Sequence, residues 1–312
     1  MKAPPCRLCG SGPVQRLGAI PDSDFFAGRV LPAALPGGHL WRCQGCGSMF
    51  RHPVLAPATY LELYAAGVAE AWTAEGGRLD LPLIRALIAR RPGAGRILDV
   101  GCGSGGFLAS LPARLQKFAV EPSTAAARRA AQQGVTVLGG TLADLAPEAV
   151  FDIVTIIDVI EHVVDVGGLL EAILPHLAPG GCLILSTGDP GHALWRAVFG
   201  ARFWYSSYPE HISFPSAAFL ASWQSRRGLQ PPQIVRTRYR HLSLPHRVAI
   251  LATQLLFWMS PGALNALGRA LQWLRRAPRP RARHFPGGGP GLFRDHQVVM
   301  IAREGVIRSP VS

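Results

Sequence analysis

The clearest pattern in the chain starts at residue 96, where the apolar run RILDV meets a cluster of glycines and the chain resumes as FLASL. A run of strand length, a glycine turn and then a helix predict the opening of a doubly wound α/β unit. A candidate helix, LPLIRALIAR, precedes it, and GGTLADLAPEAVFDIVTIIDVIEHVVDVGGLLEAILPHLAPGGCLILST predicts two further strands flanking a helix. PPQIVRTRYRHLSL and HQVVMIAREG predict the last two strands. The insert between them, about Pro245 to Asp295, is longer than a hairpin turn needs. Its first part, HRVAILATQLLFWM, is apolar nearly all round. Its second, ALNALGRALQWLRR, sets Leu264, Leu267, Leu271 and Leu274 against Asn265, Arg269, Gln272 and Arg276. With Pro261 and Gly262 between them, the two predict a helical hairpin, followed by the basic loop RRAPRPRARHFPGGGPG.

Composition narrows the class. Of 312 residues 48% are apolar and 16% charged, enough to bury a large core and too apolar for global disorder. The net charge is +13, and all basic residues except Lys2 and Lys117 are arginine. Residues 222–312 hold fifteen arginines against Asp295 and Glu304, an excess equal to the whole net charge. The expected partners of that third are anionic: phosphorylated substrates or a membrane surface. No apolar leader and no run of about 18 uncharged apolar residues appears, so a cytoplasmic enzyme is expected, at most peripheral at the inner face of the membrane.

Four of the six cysteines form two C-x2-C pairs, Cys6/Cys9 and Cys43/Cys46, each followed by a glycine, Gly10 or Gly47. The glycine relieves a tight turn that lets two thiolates approach one ion. In a reducing compartment this reads as a structural zinc site, the alternative being a redox or vestigial pair. Four thiolates leave no coordination site for water, so the zinc should hold a fold rather than catalyse. The zinc module is expected to span residues 1–55. Cys102 and Cys182 read as small packing residues.

Gly101, Gly103 and Gly106 satisfy G-x-G-x-x-G, with Glu121 about twenty residues on to hold ribose hydroxyls. Asp99 discriminates between cofactors, because a carboxylate two positions before the first glycine would repel a pyrophosphate and attract an ammonium. The full pattern, LDVGCGSGGFL with EPS at Glu121–Ser123, resembles the class I S-adenosylmethionine-dependent methyltransferases over roughly residues 80–220. That resemblance implies a Rossmann-like seven-stranded α/β sheet with its last two strands antiparallel. It also implies that Asp99, Gly101, Gly103 and Gly105 cradle the methionyl part of S-adenosylmethionine, that Glu121 binds the ribose, and that Thr141 and Leu142 border the adenine. Asp158, closing the fourth strand, is counted with them. Many relatives carry an acid where Thr141 stands.

Methyl transfer to a hydroxyl or carbon acid needs alignment and a base, and histidine titrates near ambient pH. His211, in SSYPEHISFPS, is the candidate base, with Glu210 orienting it or the substrate; the alternative is a loop histidine satisfied by a backbone carbonyl. Residues 189–216 should form a lid over the strand ends. Its aromatics, Trp195, Phe199, Phe203, Trp204, Tyr205 and Tyr208, either wall a sugar or ring site or pack the lid down. YPEHISF resembles the Y-H-E-H-x-S-Y segment of bacterial sugar methyltransferases that begin with a four-cysteine domain, although their H-G-G-S-type motif is absent. Asp158, Glu161, His162 and His211 resemble instead the E-x-x-E-H…H set of metal-dependent O-methyltransferases, with Asp158 shorter by a methylene, and imply a possible Mg²⁺ site.

These readings assemble a zinc module (1–55), a methyltransferase core (56–243), a helical insert with basic loop (244–295) and a last strand and tail (296–312). The expected activity is methylation of an oxygen or carbon of a sugar or glycan intermediate, lipid-linked or free. The first alternative is a metal-assisted O-methyltransferase of a lipophilic quinone or phenol, which the resemblance to ubiquinone-pathway enzymes supports. The second is a zinc- and arginine-based nucleic-acid-binding module, disfavoured because residues 1–55 lack a basic stripe interleaved with aromatics. The insert suits a membrane contact through 245–283, a homodimer interface or internal packing.

Overall fold

The computed structural model describes residues 3–68, 77–264, 266–267 and 291–304. The chain opens with β1 (Val14–Ala19), β2 (Ser23–Phe26), β3 (Arg29–Leu35), β4 (His39–Cys43) and β5 (Met49–His52), and then α1 (Pro57–Ala65) and α2 (Asp80–Ala89). Strands and helices alternate from there: β6 (Arg96–Val100), α3 (Gly106–Ala109), β7 (Gln116–Val120), α4 (Thr124–Gln132), β8 (Thr136–Gly139), β9 (Phe151–Ile157), α5 (Val166–Ile173) and β10 (Leu177–Gly188). The last part holds α6 (Trp204–Ser207), β11 (Ser213–Phe214), α7 (Ala217–Ser225), β12 (Gln233–Thr237), α8 (Leu244–Met259) and β13 (His296–Ala302).

Seven strands form the central sheet in the order β12-β13-β10-β9-β6-β7-β8. The five from β6 to β10 run parallel, and β13 lies antiparallel between β10 and β12. A sheet covered on both faces needs strands without a polar side, and Ile97, Leu98, Ile153, Val154, Ile184, Leu185, Val298 and Val299 are all buried. The chain moves outward from β6 to β7 and β8, then crosses back to β9 and β10. This reversal opens a crevice at the carboxyl ends of β6 and β9, where the fold class places its ligand. Side-chain caps start the flanking helices cleanly: Ser123 accepts from the Ala126 amide at α4, and Asp165 from the Gly168 amide at α5.

The loop after β6 needs glycine for two reasons. Gly101 and Gly105 hold left-handed backbone, at φ of 75° and 81°. A Cβ at Gly105 would also lie 2.8 Å from the Ala130 Cβ on α4, so the glycine lets the loop and helix close together.

A second, four-stranded sheet has the order β1-β4-β5-β11. Three of its strands come from the cysteine-bearing segment, and the fourth is the end of the expected lid, with Ser213 opposite Phe50 and Phe214 opposite Met49. Of the predicted helical hairpin, α8 forms, and a further helix begins at Pro261. Asn265, Arg269, Leu271, Gln272, Leu274 and Arg276, the basic loop as far as residue 290, and the tail from 305 lie outside the described residues. No described helix is long and apolar enough to cross a membrane.

Candidate active site

The strand order gathers the ends of β6, β7, β8 and β9 around a cleft of about 660 Å³. Asp99, Gly101, Gly103, Glu121, Thr141, Leu142 and Asp158, far apart in sequence, all line it. Gly105 does not; its place is the turn against α4. Asp99 is buried and accepts a hydrogen bond from Thr155 Oγ1 at 2.6 Å. Glu121 accepts from the Gly103 amide through Oε2 and from the Ser123 amide through Oε1, both at 2.8 Å. One carboxylate thus locks the glycine loop to the next strand. Burial raises its pKa, and the two amides oppose the rise. Asp144, missed in the sequence reading, accepts from the amides of Gly140 and Thr141 at 2.8 Å and fixes the turn beside Leu142. The signal was present as the spacing T-L-A-D, a capping box.

Glu161, His162 and His211 form a cluster in which one donor atom from each lies within 4.8 Å of the others. Asp158 is not in it. Its carboxylate pairs with Arg78 at 2.9 Å and accepts from the Tyr239 hydroxyl at 3.0 Å. His162 lines the cleft, whereas His211 sits behind it with ring centroids 4.9 Å apart. His211 Nδ1 lies 2.7 Å from the Tyr205 carbonyl and His162 Nδ1 3.2 Å from the Glu210 carbonyl. A carbonyl only accepts, so the His211 ring carries its proton on Nδ1 and leaves Nε2 basic, whereas the His162 tautomer is set by two Nδ1 partners, one of which can donate. The Tyr64 hydroxyl also meets His162 Nδ1, at 2.7 Å. Desolvation lowers the pKa of His162 and, helped by the neighbouring His162, takes that of His211 well below the ordinary value. Glu161 accepts from the hydroxyls of Tyr205 and Thr187, and burial together with the Asp158 charge raises it to about 7.

Glu210 bonds to the Ala27 amide at 2.7 Å, across the β2–β3 turn, and not to His211. The lid is held by arginines of the cysteine module. Buried Arg51 donates to the carbonyls of Ser206, Tyr208 and Pro209 at 3.2, 2.7 and 3.2 Å, and Arg7 donates to that of Ile212 at 2.8 Å. None of the lid aromatics named from the sequence lines the cleft; they pack on one another, with Trp195 stacked on Phe203 at 5.0 Å. The rings that do line it are Tyr60, Tyr64, Phe107 and Tyr239.

The four N-terminal cysteines converge without a disulfide, with Cys6 and Cys46 sulfurs 3.9 Å apart and Cys9 and Cys43 sulfurs 3.7 Å apart. A zinc–sulfur distance of about 2.3 Å sets the edge of a tetrahedron at about 3.8 Å, so the donors could hold one such ion.

Residues 76–234 match the family described as "Methyltransferase domain", half of the chain. The chain belongs to the class I S-adenosylmethionine-dependent methyltransferases. This methyltransferase is similar to the ubiquinone biosynthesis O-methyltransferase of Xanthomonas axonopodis pv. citri (strain 306), at 34% identity over 54% of this chain and 80% of that one. The corresponding enzyme of Photorhabdus laumondii subsp. laumondii is 30% identical over 61% and 90%. In fold, the methyltransferase is similar to Haemonchus contortus phosphoethanolamine N-methyltransferase 2, solved with S-adenosyl-L-methionine, at a TM-score of 0.50 and 18% identity over 82% and 62% of the two chains. The cysteine module lies outside the matched family segment.

Glu121→Ala and Asp99→Ala are each expected to weaken S-adenosylmethionine binding at least about tenfold, about 1.4 kcal/mol, by titration calorimetry. Affinities within about twofold of wild type for both would put the cofactor elsewhere.

Proposed function

We propose that the enzyme methylates a hydroxyl oxygen on an apolar ring, of phenol or hydroxylated-quinone type, with His162 as general base. The observation that carries this reading is the cleft wall: Tyr60, Leu61, Tyr64, Val164 and Tyr239 line the cleft together with His162, the one imidazole among the described residues that does so, and Arg78, Asp158 and Asp165 add charged groups. Flat aromatic and aliphatic walls suit a ring and offer few partners for the many hydroxyls of a sugar. The names of the two curated relatives support the same acceptor class.

The acceptor oxygen attacks the methyl carbon in line, the carbon–sulfur bond breaks, and the hydroxyl proton passes to His162 Nε2. The Glu210 carbonyl and the Tyr64 hydroxyl fix the ring through Nδ1. The role that the sequence assigned to His211 thus passes to its neighbour, and His211 supports that ring from behind. Depression of the His162 pKa keeps the basic form at lower pH than usual, so the acid limb of kcat/KM should fall below about 6.5.

A second reading adds a cation held by Glu161, His162 and His211, whose convergence favours it. Two imidazoles and a carboxylate suit a transition ion better than Mg²⁺, which takes oxygen ligands. Full activity after exhaustive chelation would remove this version. We also assign one structural zinc to Cys6, Cys9, Cys43 and Cys46, supported by their spacing. Metal analysis should find about one zinc per chain that survives mild chelation, and Cys43→Ser should lose it.

The test of function uses methyl-labelled S-adenosylmethionine with a lysate of the source organism. Label is expected in the organic phase, and label in the aqueous phase would support the sugar reading instead. His162→Gln should lower transfer at least about a hundredfold with cofactor affinity unchanged. Transfer within about threefold of wild type would rule out His162 as the base.

A further inference from the structure

Helix α8 breaks the usual pattern of a surface helix. Leu244, Val248, Leu251, Leu255, Trp258 and Met259 are all exposed, from 38% to 71%. At 100° per residue these positions fall within about 100° of one another, so they form a single stripe. The flank of the helix beside this stripe is the anchored one: Gln254 and Phe257 are buried, and Gln254 bonds to the Trp204 amide at 3.0 Å and the Arg202 carbonyl at 2.8 Å. The helix is apolar nearly all round, and one whole stripe of it stays exposed although a buried attachment exists.

A neighbouring element extends the stripe. The turn Trp195–Phe199 lies alongside, tied by a hydrogen bond from Trp258 Nε1 to the Val198 carbonyl at 3.1 Å, and it exposes Val198 at 45% with Leu194 just before it at 39%. Arginines surround the patch: Arg196 on the turn, Arg202 against the carbonyls of Trp258 and Met259, and Arg247 in the first turns of α8. No acidic residue occurs between Glu210 and Asp295, a stretch that contains thirteen arginines. Contiguous exposed apolar surface marks an interaction site, and a rim of one charge selects its partner.

We propose that α8 and the adjoining turn form a docking face for an anionic lipid bilayer, on which the enzyme rests without spanning it. Leu, Val, Met and Trp side chains enter the boundary between headgroups and acyl chains, while the arginines meet lipid phosphates. The cation-rich rim favours a lipid surface over a second copy of the chain, because two such faces would bring arginines of like charge together. The inference is independent of the acceptor, since the face lies outside the cleft.

The test uses the full chain and sedimentation with vesicles of phosphatidylcholine, with or without about 30% phosphatidylglycerol. Binding is expected to the anionic vesicles only, and about 0.5 M salt should release it by shortening the screening length. Leu251→Glu with Leu255→Glu should lower vesicle binding at least about tenfold while S-adenosylmethionine affinity, a check on folding, stays unchanged. If the pair fails to fold, Val248→Glu, at the most exposed position in the middle of the stripe, gives the same readout. Absence of binding to anionic vesicles, or equal binding by the variants, would overturn the proposal. So would a dimer in light scattering that the variants split, which would make a second copy the occupant.

Discussion

A buried guanidinium ties the cysteine module to the lid. Arg51 on β5 is buried, and its Nη1 and Nη2 donors meet three lid carbonyls, those of Ser206, Tyr208 and Pro209, while its Nε has no partner among the described residues. A charge in such a place costs several kcal/mol unless its hydrogen bonds are met, and desolvation lowers even this arginine, to about 10. The nearby carboxylate of Glu210 opposes that shift while taking the Ala27 amide. The lid can therefore adopt few other paths without stranding Arg51. Once residues 206–210 are set, His211 follows, and the Ile212 amide bonds to the Glu161 carbonyl at 2.8 Å, joining the lid to the end of β9.

The site consequently has two origins. The cofactor side is made by the sheet, whose crossover brings Asp99, Glu121 and Leu142 to one crevice. The proposed acceptor side is made by parts that flank the sheet: Tyr60 and Tyr64 from α1, Tyr239 from the segment after β12, and His162 beside the Glu210 carbonyl. The cysteine module supports that side through β5 and β11. Ser216 extends the link to the knuckle, since it caps α7 and also donates to the Cys46 carbonyl. In the proposed reading the cysteine module, which supplies none of the proposed catalytic residues, fixes where the acceptor half stands.

The same division explains what could be read in advance. The seven-stranded sheet, the glycine loop and the four cysteines were legible because each is encoded locally: continuous apolar runs, left-handed glycines, and thiol pairs at knuckle spacing. The acceptor side was not, because its deciding contacts join positions 158 and 183 residues apart, Arg51 to Pro209 and Ala27 to Glu210. Nothing in the sequence separates His162 from His211 as a base, and only tertiary packing decides which one lines the cleft. Glu210 beside His211 suggested an acid–base pair, yet the two sit in a turn closed by the His211 amide on the Tyr208 carbonyl, and Glu210 reaches the Ala27 amide instead. Asp158 matched a metal motif in order, but Arg78, eighty residues away, takes its carboxylate. The aromatic density of the lid was visible, and its role as packing rather than as a cleft wall was not.

The most direct test is to measure methyl transfer and S-adenosylmethionine affinity together in Arg51→Lys, which keeps the charge but cannot reach three carbonyls with one planar fork. Transfer reduced at least about tenfold, with cofactor affinity within about threefold of wild type, is the result expected if the module positions the acceptor side. Transfer at the wild-type rate with cofactor affinity intact would contradict it and leave the four-cysteine module a passive attachment.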